Sequence, residues 1–373
     1  MAEPTINLVG HPYAPIGMGE HVRSTYRAMR SVAMRPSLTD IYKLIPPDAD
    51  ELHEFAGVCT NQPADINIFH INGNEVEQSL AHLKAQRHWS GYNIIYPAWE
   101  LPRYPQEWAV LLDQFDEIWA PSQFIKESIE RSCRKTVISM PLACEVVLTS
   151  FLSRRYLGIP ETDYTFLFFF DVRSFITRKN PFAVIESFRR VLRERPSART
   201  RLLLKVNGAE LAPDVMQQLN AAIDGIEHQV IILQRTMTDN EAKNLVRCCD
   251  CFISLHRSEG FGRGISEAMV LGKPVIATGY SGNMEFMNEE TSFPVTYDLI
   301  PLVDGDYPHW EDQVWADAHV ADAVQYMIRL VDTPELGRTV GNKAKLHMQK
   351  KFSYSAIGIN YRKRLEEIGE KLT

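Results

Sequence analysis

The chain alternates short apolar runs with amphipathic helical stretches, twice over, and this alternation restricts the fold more than any single motif. INLVG (6–10) has the character of a buried strand. GEHVRSTYRAMRSV follows it, with Val22, Tyr26 and Met29 on one helical face. INIFHI (66–71), YNIIYPAW (92–99), EIWAPS and TVISMP are the later strands of this half, and Ser122 stands as the N-cap of the helix QFIKESIERS. Periodicity weakens from about Leu142 to Thr162, then resumes with YTFLFFFDV. Asn180 and Pro181 suit the cap and first turn of FAVIESFRRVLRER. RLLLKVNG, QVIIL, CFISLH and PVIATG supply four further strands, with helices between them. Such alternation builds parallel sheets covered by helices on both faces. At roughly 100–200 residues per domain, 373 residues suffice for two. The expected class is α/β, with two Rossmann-like domains facing a deep cleft. They are placed at 1–143 and 163–352, with a linker at 144–162 and a helix at 353–373 whose packing the sequence leaves open, a return to the N-terminal domain being one course.

The net charge of −7 argues against a generic nucleic-acid binder, which carries a basic face, but allows a local basic pocket for a phosphate. No run of about 18 apolar residues suggests a membrane-spanning helix. MAEPTINLVGHPYAP lacks the basic region and apolar core of a signal peptide, so a cytoplasmic location is expected. The basic run RRVLRERPSARTR (189–201) would suit peripheral contact with the inner membrane surface, although a solvated helix end is the plainer reading. Six cysteines in this length read as reduced thiols. Cys248 and Cys251 form a C-x-x-C without a second pair, which fits a helix end running into a buried strand better than zinc.

RSEGFGRGISEA, 257–268, carries the chemistry. It follows a strand and opens a helix, the position where ligands meet doubly wound sheets. Its glycines let backbone approach a ligand, and the N–H groups of Phe261 to Gly264, aided by the helix dipole, suit an anion such as phosphate. Glu259 and Glu267, with seven residues between them, repel phosphate and suit hydroxyl pairs instead. A ligand with a central phosphate and diols on both sides is a nucleotide sugar. Alternatively, Glu259 caps the turn and Glu267 merely complements the helix dipole.

EGFGRGISEAMVLGKPVIAT resembles the signature of retaining glycosyltransferases of family 4, which have the GT-B fold: E-G-F-G, a second glutamate in E-A-M, then G-x-P-V-I-A. The resemblance is dense over about 165–350, and over the N-terminal half it rests on topology. It implies that Glu259 contacts donor-sugar hydroxyls, that Glu267 holds the ribose diol, and that Gly260, Phe261, Gly262 and Arg263 lie along the sugar and diphosphate. DVRSFITRKNP matches the family's arginine and lysine after the first strand of the C-terminal domain, here Arg173 and Lys179. Fixed cations there stabilise the departing diphosphate, the task of Mg²⁺ elsewhere. No D-x-D follows a strand; DGD (304–306) sits in a surface loop, and neither a metal nor another cofactor is expected. In GYSGNMEF, Ser281, Gly282 and Asn283 stand where the family has a glycine pair, and Glu285 matches its glutamate. Asn207 and Thr236 mark the loops expected to meet the base.

In the N-terminal half, Gly17 and Gly19 lie where the family's cleft loop approaches diphosphate and acceptor; a simple helix-start turn is equally compatible. HINGN departs from the family's H-x-H: Asn72 aligns with the functional histidine, so His70 is a cleft residue or a core one. Glu100, in WELPRYP, either meets the acceptor or pairs with Arg103 while Trp99 packs. W-E-L-P with L-H-R-S-E-G-F-G is similar to a bacterial subgroup that decorates polysaccharides or lipid-linked glycans. The implied activity is retaining transfer of a hexose from GDP-mannose or UDP-glucose to such a glycan. The rivals are a GT-B nucleotide-sugar epimerase and a silent nucleotide-sugar binder.

Overall fold

The computed structural model describes residues 4–41, 53–55, 57–86 and 89–372; parts of the expected 1–143 domain, among them residues 1–3 of its N-terminal stretch, and the last residue of the expected 353–373 helix lie outside them. The chain divides into two compact units, 1–144 with 350–373, and 145–349.

The first unit holds a six-stranded parallel sheet of β1 (Ile6–Gly10), β2 (Ser37–Asp40), β3 (Ile66–Phe69), β4 (Tyr92–Ile95), β5 (Glu117–Ala120) and β6 (Val137–Ser139), in the order β2-β1-β3-β4-β5-β6. Its helices are α1 (Gly17–Ser31), α2 (Val76–Gln86), α3 (Gln106–Leu112) and α4 (Gln123–Glu130), and Ser122 caps α4 through Ile125 N–H at 3.3 Å.

The second unit repeats the plan with β7 (Tyr164–Asp171), β8 (Thr200–Asn207), β9 (Val230–Leu233), β10 (Cys251–Ser254), β11 (Val275–Thr278) and β12 (Phe293–Val295), in the order β12-β11-β10-β7-β8-β9. Every pairing in this sheet is parallel. A small antiparallel hairpin follows, β13 (Tyr297–Pro301) with β14 (Val314–Ala318). The helices are α5 (Ile176–Lys179), α6 (Pro181–Glu194), α7 (Pro213–Ala222), α8 (Asp239–Cys248), α9 (Arg263–Val270), α10 (Val320–Asp332) and α11 (Pro334–Lys351). Phe166, Phe168 and Phe170 alternate along β7 onto one core with Leu202, Leu204 and Val206 of β8. Val184, Phe188 and Val191 of α6 meet them at the 4- and 3-residue spacing of a helix face. Burying each of these phenylalanines contributes about 1.5–3 kcal/mol.

Two local details depart from the sequence reading. The weakly periodic stretch expected as a linker belongs largely to the second unit and is fastened to α8: Asn240 Oδ1 accepts from Thr149 N–H at 2.9 Å, and Asn244 Oδ1 from Leu152 N–H at 3.0 Å. Asn180 precedes α6 in a left-handed conformation (φ 53°), but its side chain donates to Leu255 O at 2.9 Å instead of capping the helix. Cys248 ends α8 and Cys251 opens β10, both as free thiols. The last helix, α12 (Tyr354–Leu372), lies in the first unit against α1. Among the described residues no helix is long and apolar enough to cross a membrane.

Candidate functional site

In the second sheet the connections from β7 run one way, to β8 and β9, and those from β10 run the other, to β11 and β12. The ends of β7 and β10 therefore flank the point where strand order reverses, which is where open α/β sheets bind ligands.

After β7 the chain turns at Asp171, and Phe175 takes a positive φ of 59° to enter the single turn α5. That turn presents Arg178 and Lys179. It is fastened to the end of β10 by the Asn180 bond to Leu255 O and by Arg257 N–H to Arg178 O at 2.8 Å. Glu259 follows β10 and meets both cations. One carboxylate oxygen ion-pairs with Lys179 Nζ, and the other lies 3.4 Å from Arg178 Nη1. Arg178 also donates to Ser258 O at 2.9 Å. The Glu259 side chain is only 13% exposed. Burial alone would raise its pKa, but Lys179 and Arg178 outweigh burial and hold it at about 2. Glu259 is thus a fixed anion, not a proton donor.

His256 lies beneath, fully buried. Burial lowers its pKa, so the ring is neutral, although Glu259 opposes this. Asn283 donates its amide to Thr278 O at 2.9 Å, so its oxygen faces His256 Nε2 at 3.0 Å, and that nitrogen carries the proton. Asn283 is therefore committed inward, which leaves only its backbone near the loop surface. Ser281 adopts a positive φ of 73°, and its hydroxyl accepts from Glu259 N–H at 2.8 Å. Gly282 crosses the Glu259–Gly260 backbone so closely that a Cβ would sit 1.8 Å from Gly260 O. Only glycine fits there.

Gly262 (φ 88°) leads into α9, and Ser266 makes the first amide bond of that helix back to Gly262 O. The start of the helix thus leaves amides that helical geometry does not satisfy. Phe261 is buried against Phe286, with centroids 5.1 Å apart, so its ring is core and only its backbone belongs to the loop. Arg263 and Glu267 are half-buried and four residues apart, on one face of α9. Glu285 is half-buried in the following turn.

Arg173 does not join Lys179. It is 58% exposed and forms a two-point ion pair with Asp171. Asn207, exposed at the end of β8, accepts from buried Lys205, whose ammonium pKa is lowered by burial and by Arg235. Thr236 is exposed after β9. Between these two loops lies a recess of about 660 Å³, whose lining includes Glu210, Met216, Gln217, Gln234 and Arg235.

In the first unit, Gly19 packs where a Cβ would lie 2.1 Å from Ala14 O, so it serves the turn, while a Cβ at Gly17 would meet nothing within 4 Å. His70 is a core histidine: fully buried, its ring 4.7 Å from His21. Asn72 ties two loops together, its Oδ1 accepting from Ala98 N–H at 3.1 Å. Glu75, which the sequence reading did not single out, receives Asn72 N–H at 2.9 Å and His11 Nε2 at 2.8 Å. Glu100 is half-buried, and Trp99 packs, donating to Arg103 O at 2.8 Å.

Arg178 is the main omission. It is adjacent to Lys179 in sequence, but nothing in a run of basic residues tells which one is buried against a carboxylate. Lys205 was missed because it sits inside an apolar strand.

Comparison with known proteins gives the same architecture. HepE from Anabaena, solved with UDP and glucose, superposes with a TM-score of 0.72 over 98% of this chain and 100% of its own, at 15% identity. Sucrose-phosphate synthase from Thermosynechococcus elongatus gives 0.68 over 98% of each chain at 13% identity. A glycosyltransferase from Rickettsia africae gives 0.67 over 98% of each chain at 14% identity. No curated protein sequence matches the chain. Residues 151–297 match the family model Glycosyl transferases group 1. The chain has the fold of the GT-B glycosyltransferases, and within it residues 151–297 are similar to glycosyl transferases group 1.

Proposed function

We propose that the chain is a retaining glycosyltransferase of the family 4 type, moving a hexose from a nucleoside diphosphate sugar to a hydroxyl of a saccharide or lipid-linked glycan at the cytoplasmic membrane face. The observation that carries this reading is the Glu259 carboxylate, held as an anion by Lys179 and Arg178 at the sheet's switch point, beside the glycine turn that opens α9. Glu259 would accept hydrogen bonds from sugar hydroxyls, Glu267 those of the ribose, and the amides of 262–264 would face the diphosphate.

As the sugar–oxygen bond breaks, negative charge grows on the diphosphate, and Lys179 and Arg173 would stabilise it. Arg173 reaches it by exchanging Asp171 for phosphate. The acceptor oxygen bonds to the anomeric carbon on the face the diphosphate leaves, and the acceptor's proton passes to the leaving phosphate oxygen. No metal is needed in this scheme, so chelator treatment should leave the rate within twofold; loss on EDTA with recovery on Mg²⁺ overturns that part. UDP-glucose and GDP-mannose are the leading donors, and HepE was solved with UDP-glucose.

A thermal-shift screen of UDP, GDP and their sugars is the first test, because a bound nucleotide raises the melting temperature by mass action. Response to none of them contradicts the reading. Conversion of a nucleotide sugar to its epimer without acceptor would favour isomerase chemistry instead.

A further inference from the structure

The β13–β14 hairpin is built onto the Glu259 site. Ala316 N–H bonds Arg257 O at 2.9 Å, the Arg257 guanidinium lies 5.4 Å over Trp315, and Arg257 Nη2 pairs with Asp317 at 3.2 Å. On the other side, Tyr297 lies 5.1 Å from Tyr280, next to Ser281. The connection between the two strands, 302–313, carries three left-handed residues, Gly305, His309 and Asp312. It folds Tyr307 inward to 9% exposure. There the Tyr307 ring meets Phe175, 4.6 Å away, and the Arg178 guanidinium, 5.8 Å from its centroid.

We infer that Tyr307 is a positioning residue for the donor sugar. It backs Arg178, which with Lys179 fixes the orientation of Glu259, so the hairpin governs how tightly the sugar, as distinct from the nucleotide, is held. Arg178 Nη1 donates to Ser258 O and lies 3.4 Å from Glu259, so a single placement of the guanidinium serves both, and an aromatic face at its back opposes the others. The positive φ of Phe175 is consistent with a wall over-determined by its surroundings. The inference rests on the proposed reading that Glu259 holds sugar hydroxyls.

The test compares the Kd of UDP with that of UDP-glucose, and of GDP with that of GDP-mannose, for the wild type and for Tyr307→Ala, Tyr307→Phe, Arg178→Gln and Arg178→Lys. The ratio of nucleotide-sugar to nucleotide affinity is the readout. Tyr307→Ala and Arg178→Gln should shift that ratio against the sugar roughly tenfold, the scale of one charge-assisted hydrogen bond. Tyr307→Phe, which keeps the ring, should leave it unchanged, and Arg178→Lys should restore part of it. Nucleotide Kd itself should stay within twofold, and this also reports that the variants fold. An unchanged ratio in folded Tyr307→Ala and Arg178→Gln overturns the inference while leaving the enzyme reading intact. A wild type that binds no nucleotide overturns both.

Discussion

At Glu259, two requirements collide: the charged carboxylate that the proposed reaction asks for, and a buried position that disfavours that charge. The chain meets both with cations. A carboxyl whose folded pKa lies near 2, below the ordinary value of about 4.3, contributes stability that is fully present above that ordinary value. The contribution is lost progressively as pH falls from about 4.5 toward 2. By linkage it amounts to about 3 kcal/mol. Glu259→Gln cannot titrate, so the stability gap between wild type and variant, read from urea melts, should be largest above pH 5 and shrink as pH falls to 3.5. A gap independent of pH would mean that the carboxylate is not held by its neighbours. In activity the same variant should lose at least 100-fold in kcat/KM, the scale of a lost transition-state contact. The place of Glu259 was legible because an apolar strand run before it and a glycine turn after it mark the end of a strand and the start of a helix. Asn283 and Phe261 were less so: a polar or aromatic letter in a loop does not say which way its side chain turns, and both turn inward.

Among the elements, the two loops after β10 and β11 act as one object. Ser281 Oγ holds the Glu259 amide, Asn283 holds His256, and Gly282 lets the backbones touch. Gly282→Ala must separate them, since its Cβ would lie 1.8 Å from Gly260 O and 2.8 Å from Glu259 O, and neither is a flexible side chain. The expected cost is about 1–3 kcal/mol, or a fall of roughly 2–10 °C in melting temperature. Donor binding should fall with it, because the glutamate moves with its loop. A variant that melts and binds like the wild type would show that the loops part without consequence. The main strands were readable because each is a short apolar run between turn residues. The β13–β14 hairpin was not: Asp298, Leu299 and Pro301 of β13 are exposed, so it carries no apolar periodicity and has the sequence of a surface loop. The one-turn helix α5 was equally silent, four residues being too few to show a period.

For the whole molecule, the least readable fact is where the chain ends up. α12 is recognisable as a helix, but its partner α1 lies more than three hundred residues upstream, and no local pattern encodes that pairing. What fixes it is shape. Gly358 lets α12 approach until a Cβ would lie 2.2 Å from Ala28 O, Tyr361 stacks on Trp119 at 5.6 Å and 6°, and Arg364 Nε bonds Glu117 at 2.9 Å. Ile357, Tyr361, Leu365 and Ile368 are all buried in that contact. At about 1.5–3 kcal/mol each, their removal approaches the 5–15 kcal/mol that holds a typical domain together. Deleting residues 353–373 should therefore unfold the first unit, although the cut lies next to the second in sequence. Trp89, Trp99, Trp108 and Trp119 belong to the first unit, and Trp310 and Trp315 to the second. Most of the tryptophan emission should shift to the red on deletion, while limited proteolysis leaves a resistant fragment near 145–349. Retention of native emission by the shortened chain would show that α12 is an accessory to the first unit. The opposite outcome, loss of the 145–349 fragment as well, would show that the second unit depends on the first for its own fold.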